Sequence, residues 1–215
     1  YYFKDILSDK TEEIYIESTA YDYTENCLME FYKEKAVIPV IQDSKEEYEQ
    51  IVHLTAKKVA GRIPTISSVG RSIPEAITFA KIAEQAGIDG LLLMPPYLTE
   101  CPKDGIVEYA KAIMQNTNLP VIYYNRANGI LSAEHIKELA DACPNFIALK
   151  DGTGVIEELN VTIKTIGDRL VYIGGVPTAE IISEAYLSIG VNTYSSAVFN
   201  FVPELANHFY AALRA

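Results

Sequence analysis

Residues 120–150, PVIYYNRANGILSAEHIKELADACPNFIALK, hold one complete strand–helix–strand unit. The β-branched and aromatic run PVIYYN (120–125) reads as a strand. Ser132 stands where a helix N-cap belongs, and Ile136, Leu139 and Ala140 then recur at helical spacing. A second apolar run, FIALK (146–150), closes the unit. FIAL lacks polar alternation, the pattern of a parallel strand whose outer face is covered by helices.

The unit repeats in both directions. Strands are predicted at IYIES (14–18), VIPVI (37–41), IPTISS (63–68) and GLLLM (90–94), and again at LVYIG (170–174) and VNTYSS (191–196). Successive strand starts lie 21 to 30 residues apart, one strand, one helix and their loops. Helical spacing fills the intervals: Ile73, Ile77 and Ala80; Ile106, Ala110 and Ile113; Ile181, Ile182, Ala185 and Ile189. Gly87 and Gly190 sit where helix C-caps belong. Alternating strands and helices require a parallel sheet with right-handed crossovers. Eight units match a (β/α)8 TIM barrel, one domain spanning residues 1–215. An open doubly wound sheet is the alternative, but no GxGxxG follows the first strand and no GxxxxGK[ST] occurs. Residues 1–40, rich in Tyr, Glu and Lys, make an atypical first unit. No helical extension is expected after the eighth helix.

Composition narrows the function classes. About half of the 215 residues are apolar and 22% are charged, which suits a globular protein rather than a disordered one. No apolar run reaches the length of a membrane span. Tyr1 to Lys10 carry Asp5, Asp9 and Lys10 where a secretory signal would place an apolar run, so a cytoplasmic location is expected. A net charge of −11 without a basic cluster excludes a nucleic-acid footprint. Cys27, Cys101 and Cys143 are odd in number and far apart, and read as free thiols. His53, His135 and His208 stand singly in helix-like segments, so no metal is expected.

Barrel enzymes place their chemistry at the C-terminal ends of strands. Those ends are Tyr124, Lys150, Gly174-Gly175 and Ser195-Ser196. A lysine closing an apolar strand is placed at the barrel mouth. Desolvation there disfavours a charged amine and can free it to attack a carbonyl. A lysine extending its ammonium to solvent fits the same spacing. Tyr124 reads either as a proton relay or as a packed aromatic. Spacing alone leaves both pairs of readings open.

Five tracts in this order carry a resemblance: LLLMPPYLTECPKDGIVEYAKAI (91–113), LPVIYYNR (119–126), CPNFIALKDGTG (143–154), LVYIGGVPTAE (170–180) and TYSSAVFNFVPELA (193–206). Together they resemble the dihydrodipicolinate synthase/N-acetylneuraminate lyase family over about residues 46–215. The similarity is greatest to the branch that dehydrates and decarboxylates the sugar acid 5-dehydro-4-deoxyglucarate. The resemblance implies a lyase with a (β/α)8 barrel, working through a covalent lysine imine with a 2-oxo acid and needing no cofactor. It implies Lys150 as the imine-forming residue and Tyr124 as the proton relay. Gly175, Ser195 and Ser196 would line the pocket.

Arg126 offers a bidentate fork for a substrate carboxylate. Only one of Ser195 and Ser196 can face inward, because strand neighbours alternate. By the same alternation Asp151 takes a capping or outer role. The partner is a small-molecule 2-oxo sugar acid, and the family resemblance implies a homo-oligomer, a tetramer or dimer. Two departures stand out. VIPVI runs through Gln42 and Asp43 directly into a helix, where the family carries a GTGE-type carboxylate-binding loop. Tyr97 is followed by Leu98, where the lysine-biosynthesis branch has a second tyrosine. The alternatives are an aldolase releasing pyruvate from a 2-keto-3-deoxy sugar acid, and a ligand-binding barrel without catalysis.

Overall fold

The computed structural model describes residues 2–4, 13–15, 44–96 and 100–215. Six parallel strands run in sequence order without reversal: β3 (Ile66–Val69), β4 (Gly90–Leu93), β5 (Val121–Asn125), β6 (Phe146–Asp151), β7 (Val171–Gly174) and β8 (Thr193–Tyr194). A doubly wound sheet reverses its strand order at a switch point; this sheet does not, and its progression is that of a (β/α)8 barrel. The helices are α1 (Lys45–Val59), α2 (Ile73–Ala86), α3 (Lys103–Met114), α4 (Ala133–Ala142), α5 (Ile156–Ile166), α6 (Ser183–Ser188) and α7 (Pro203–Leu213). No helix among the described residues is long and apolar enough to cross a membrane.

The first expected strand differs. Glu13–Tyr15, designated β2, pairs antiparallel with β1 (Tyr2–Lys4) in a separate two-stranded sheet. Two short strand-forming tracts close in sequence pair locally, where closing the intervening loop is less costly than joining a distant sheet. VIPVI (37–41), the gap before the α1 helix, Cys27, Tyr97 and Leu98 lie outside the described residues.

Two apolar layers follow from strand alternation. Leu91, Leu93, Val121, Tyr123, Phe146, Leu149 and Tyr172 face outward into the main core shared with the helices. Leu92, Met94, Ile122, Tyr124, Ala148 and Ile173 face inward and pack on one another. Lys150 belongs to the inward set only because β6 carries an irregularity. Val121 pairs with Phe146, but the next residue, Ile122, pairs with Ala148, so Ile147 is one extra residue on β6. Such a bulge reverses the phase of the strand beyond it. Phe146 stays in the outer layer, and Ala148 and Lys150 turn inward.

Caps fix where the helices begin. Ser44 and Glu47 form a reciprocal capping box on α1, with the Glu47 carboxylate 2.7 Å from the Ser44 amide. Gly87 caps the end of α2 as the sequence predicts, and Ser72 caps its start. Ser132 precedes α4 as predicted, but its hydroxyl bonds to the His135 ring at 2.7 Å instead of capping the helix backbone. The predicted stripe at 181–189 is broken. Ala179–Ile182 is a 3-10 turn, and Ile181 is 81% exposed.

At the opposite end from the strand C-termini, Asn145 directs its side-chain amide at the carbonyls of Met114, Thr117 and Leu119, 2.9 to 3.2 Å away. Those carbonyls belong to the turn that feeds β5, so Asn145 sets the entry of β5 against β6. Asn145→Ala leaves them without that donor, and the expected loss is about 1–3 kcal/mol of unfolding free energy, read by urea titration.

Candidate active site

Lys150 is completely buried on the inward face of β6. Its register partner on β5 is Tyr124, itself 2% exposed, and the lysine Nζ lies 4.4 Å from the centre of the tyrosine ring. An amine N–H group facing an aromatic π face gains electrostatic stabilisation that an aliphatic neighbour would not give. The Tyr124 hydroxyl donates to the Gly175 carbonyl at 2.6 Å, which fixes the ring across the gap from β5 to the end of β7. Of the twin tyrosines, only Tyr124 faces the interior. Tyr123 points outward and donates to the Gly129 carbonyl at 2.6 Å. Burial pushes its phenol well above the usual range.

Gly175 contributes space as well as a carbonyl. A Cβ at this position would lie 2.6 Å from Lys150 Cγ and 2.8 Å from Lys150 Cε. Real side chains do not approach so closely, so the lysine stem occupies the volume that Gly175 leaves open. Gly152, on the inward face one step beyond Lys150, does the same for the neighbouring strand. Its Cβ would lie 2.7 Å from Arg126 Cβ and 2.8 Å from Tyr124 Cε2. Arg126 follows Tyr124 on the same side, and its guanidinium carbon lies 5.0 Å from the Tyr124 ring centre. Lys150, Tyr124, Gly175 and Arg126 are therefore brought together at the C-terminal mouth of the sheet.

The two serines after β8 part company. Ser196 is buried, accepts from Val198 N, and has its one hydroxyl proton within reach of the Glu180 carboxylate at 2.7 Å and the Pro177 carbonyl at 3.1 Å. It ties the loop after β7 to the end of β8 and does not join the lysine. Ser195 is the residue on the opposite side. Its amide donates to the Gly174 carbonyl at 2.8 Å, and its hydroxyl oxygen is buried with no hydrogen-bond partner among the described residues.

Asp151 points outward, as alternation predicts. Its carboxylate accepts from Thr153 N, Thr153 Oγ1, Gly154 N and the Tyr186 hydroxyl, at 2.7 to 3.1 Å. Two residues near the site escaped the sequence reading. Gly152 was visible only as part of KDGTG, and Ser68 shares the inward face of β3 with Ile66 through the alternation of IPTISS. Ser68 is 5% exposed, a buried polar group on an otherwise apolar inner wall.

Such an arrangement, an amine buried against an anchored phenol at a barrel mouth, suits attack on a carbonyl. A family model described as the dihydrodipicolinate synthetase family matches residues 40–215. The chain belongs to that family. Over 172 residues it is 50% identical to a Rhizobium meliloti (strain 1021) protein named "Probable 5-dehydro-4-deoxyglucarate dehydratase", covering 80% of this chain and 57% of the relative. A Chelativorans sp. (strain BNC1) protein of the same name is 51% identical over 160 residues, 74% of this chain and 53% of the relative. The chain thus spans little more than half the length of these curated relatives. Among solved structures, 4-hydroxy-tetrahydrodipicolinate synthase from Methylacidiphilum fumariolicum SolV superposes with a TM-score of 0.70 at 28% identity, over 75% of this chain and 54% of that one. Dihydrodipicolinate synthase from Aquifex aeolicus reaches 0.75 at 24% identity, over 99% and 76%. These likenesses agree with the (β/α)8 fold read from the strand order.

Dihydrodipicolinate synthetase family membership and the packing around Lys150 give one test of the site. Gly175→Ala drives a methyl group into the lysine stem. The variant is expected to remain folded by circular dichroism yet lose at least about tenfold in the yield of borohydride-trapped pyruvate adduct, because a displacement of the reacting amine costs rate steeply.

Proposed function

We propose that this chain carries the Schiff-base centre of a decarboxylating dehydratase acting on 5-dehydro-4-deoxyglucarate, with Lys150 as the nucleophile and Tyr124 as the proton relay. The observation that carries the reading is the completely buried Lys150 amine over the ring of a tyrosine whose hydroxyl is anchored on Gly175. The names of relatives at about 50% identity support the choice of substrate.

The Lys150 amine adds to the substrate ketone and water leaves, giving an iminium ion. That cation withdraws electrons from the adjacent CH2, so one of its protons can be removed. The β-hydroxyl then departs with a proton as water, leaving an iminium conjugated with a carbon–carbon double bond. Electrons from the bond to the distal carboxylate flow into this system as CO2 leaves. Reprotonation and hydrolysis by water release 2,5-dioxopentanoate and restore the amine. Each proton transfer needs a group within hydrogen-bond reach of the reacting carbons, and Tyr124, whose ring centre lies 4.4 Å from the lysine Nζ, is assigned that role. Arg126 supplies a planar fork for one carboxylate. Ser195, whose buried hydroxyl has no partner among the described residues, supplies a hydrogen bond for a substrate oxygen. The lysine itself provides the electron sink, so the reading calls for no external cofactor.

Borohydride reduction in the presence of 5-dehydro-4-deoxyglucarate is expected to leave a ligand adduct on the peptide containing Lys150, read by intact mass and peptide mapping. Lys150→Ala abolishes it. Release of CO2 distinguishes the dehydratase from an aldolase, which would release pyruvate. A folded chain that forms no adduct with this substrate or with pyruvate overturns the enzymatic reading.

A further inference from the structure

The end of β6 that presents Lys150 is held unusually from behind. A cavity of about 350 Å³ lies on the outer side of β5 and β6, between α4 and α5, and Asn125, Leu149, Asp151 and Thr153 line it. Close packing, which normally fixes a strand end, is interrupted there. Hydrogen bonds replace it. The Asp151 carboxylate gathers the loop that follows through Thr153 and Gly154, and among the described residues one group from another element reaches it: the hydroxyl of Tyr186, 2.9 Å from Oδ2.

Tyr186 belongs to α6, the short outer helix of six residues, and is 1% exposed. Its ring packs closely against β7 at Gly174. A Cβ on Gly174 would meet Tyr186 Cε2 at 2.5 Å and Cδ2 at 2.7 Å. Gly174 is the register partner of Asp151, and the next residue, Gly175, donates its amide to the Asp151 carbonyl at 2.6 Å and accepts the Tyr124 hydroxyl. One side chain therefore touches both strands whose ends carry the lysine and the carbonyl that anchors Tyr124. Burial, and then the Asp151 carboxylate, push the Tyr186 phenol far above its ordinary range, so it remains a donor at any working pH.

From the contacts at Asp151, Gly174 and Gly175 we infer that Tyr186 is a positioning residue for the Schiff-base centre: through Asp151 and Gly174 it clamps β6 to β7 from outside the barrel and so fixes Lys150 against Tyr124. The inference rests on the catalytic reading of Lys150. It asks of Tyr186 a geometric duty and no contact with substrate.

Tyr186→Phe keeps the ring on Gly174 and deletes only the hydroxyl; Asp151→Asn removes the charge it serves. Each variant is expected to lower kcat about tenfold with KM within about twofold of wild type, since displacement of the reacting amine costs rate while the substrate contacts are untouched. The double variant is expected to lose no more than the worse single one, because both changes break the same link. Amide hydrogen exchange supplies a readout independent of turnover: Thr153 and Gly154, which bond to Asp151, exchange faster in Tyr186→Phe. Faster exchange confined to that loop supports the clamp even where the wild-type chain traps no substrate, an outcome that overturns the Schiff-base reading alone. Unchanged exchange at Thr153 and Gly154, unchanged kcat in an active enzyme, or additive losses in the double variant overturn the clamp.

Discussion

The orientation of Lys150 depends on one extra residue. Along a regular strand Phe146, Ala148 and Lys150 would share a face, and a lysine two pleats from an outward phenylalanine would point at the helices. Ile147, inserted opposite the step from Val121 to Ile122, reverses that phase and sends Lys150 inward. The rest of the site follows from this turn. A long stem inside a narrow barrel mouth needs a neighbour without a side chain, and Gly175 is that neighbour. A buried amine needs a partner that is neither solvent nor aliphatic, and the π face of Tyr124 meets it at 4.4 Å. A phenol used in this way must itself be held, and the Gly175 carbonyl holds it at 2.6 Å. The same glycine thus gives room to the lysine stem and fixes the tyrosine ring.

Much of the architecture was legible from local signals. Apolar runs at intervals of 21 to 30 residues located β3 to β8, and Gly87 and Ser132 marked helix ends because capping is a property of single residues. The assignment of only one serine to the interior came from strand alternation alone, and that of Asp151 to the outer side from alternation once Lys150 was taken as inward. What a local reading could not supply was phase across an irregularity. FIALK carries no mark of the bulge at Ile147, so the inward aim of Lys150 rested on resemblance and not on the pattern. The antiparallel pairing of Glu13–Tyr15 with Tyr2–Lys4 was equally invisible, since a three-residue strand has no preferred direction of its own. The exposed Ile181 shows the same limit. Apolar spacing described a helix where the chain forms a 3-10 turn before α6.

Gly152 and Tyr186 illustrate a different gap. Neither carries chemistry, and a search of the sequence for nucleophiles, acids and bases passes over both. Gly152 matters for the atoms that would collide with it, Arg126 Cβ and Tyr124 Cε2, which lie on another strand. Tyr186 matters for a carboxylate 35 positions earlier and for a glycine on the strand preceding its helix. Roles of this kind are relations between elements, so they emerge only when the elements are in place.

The two serines after β8 show how a strand end divides its work. Ser196 meets three hydrogen-bonding groups and holds the loop after β7 against β8. Its neighbour Ser195 buries a hydroxyl that bonds to nothing among the described residues. An unsatisfied buried hydroxyl costs about 1–3 kcal/mol, and an alanine at that position would not incur it. The backbone could have been served equally well without the oxygen, because the strand contact of Ser195 runs through its amide to Gly174. Among the described residues the oxygen is therefore a cost to the fold with no return. Beside a mouth that holds an amine, a phenol and a guanidinium, that hydroxyl is a donor and acceptor which the described residues leave unused.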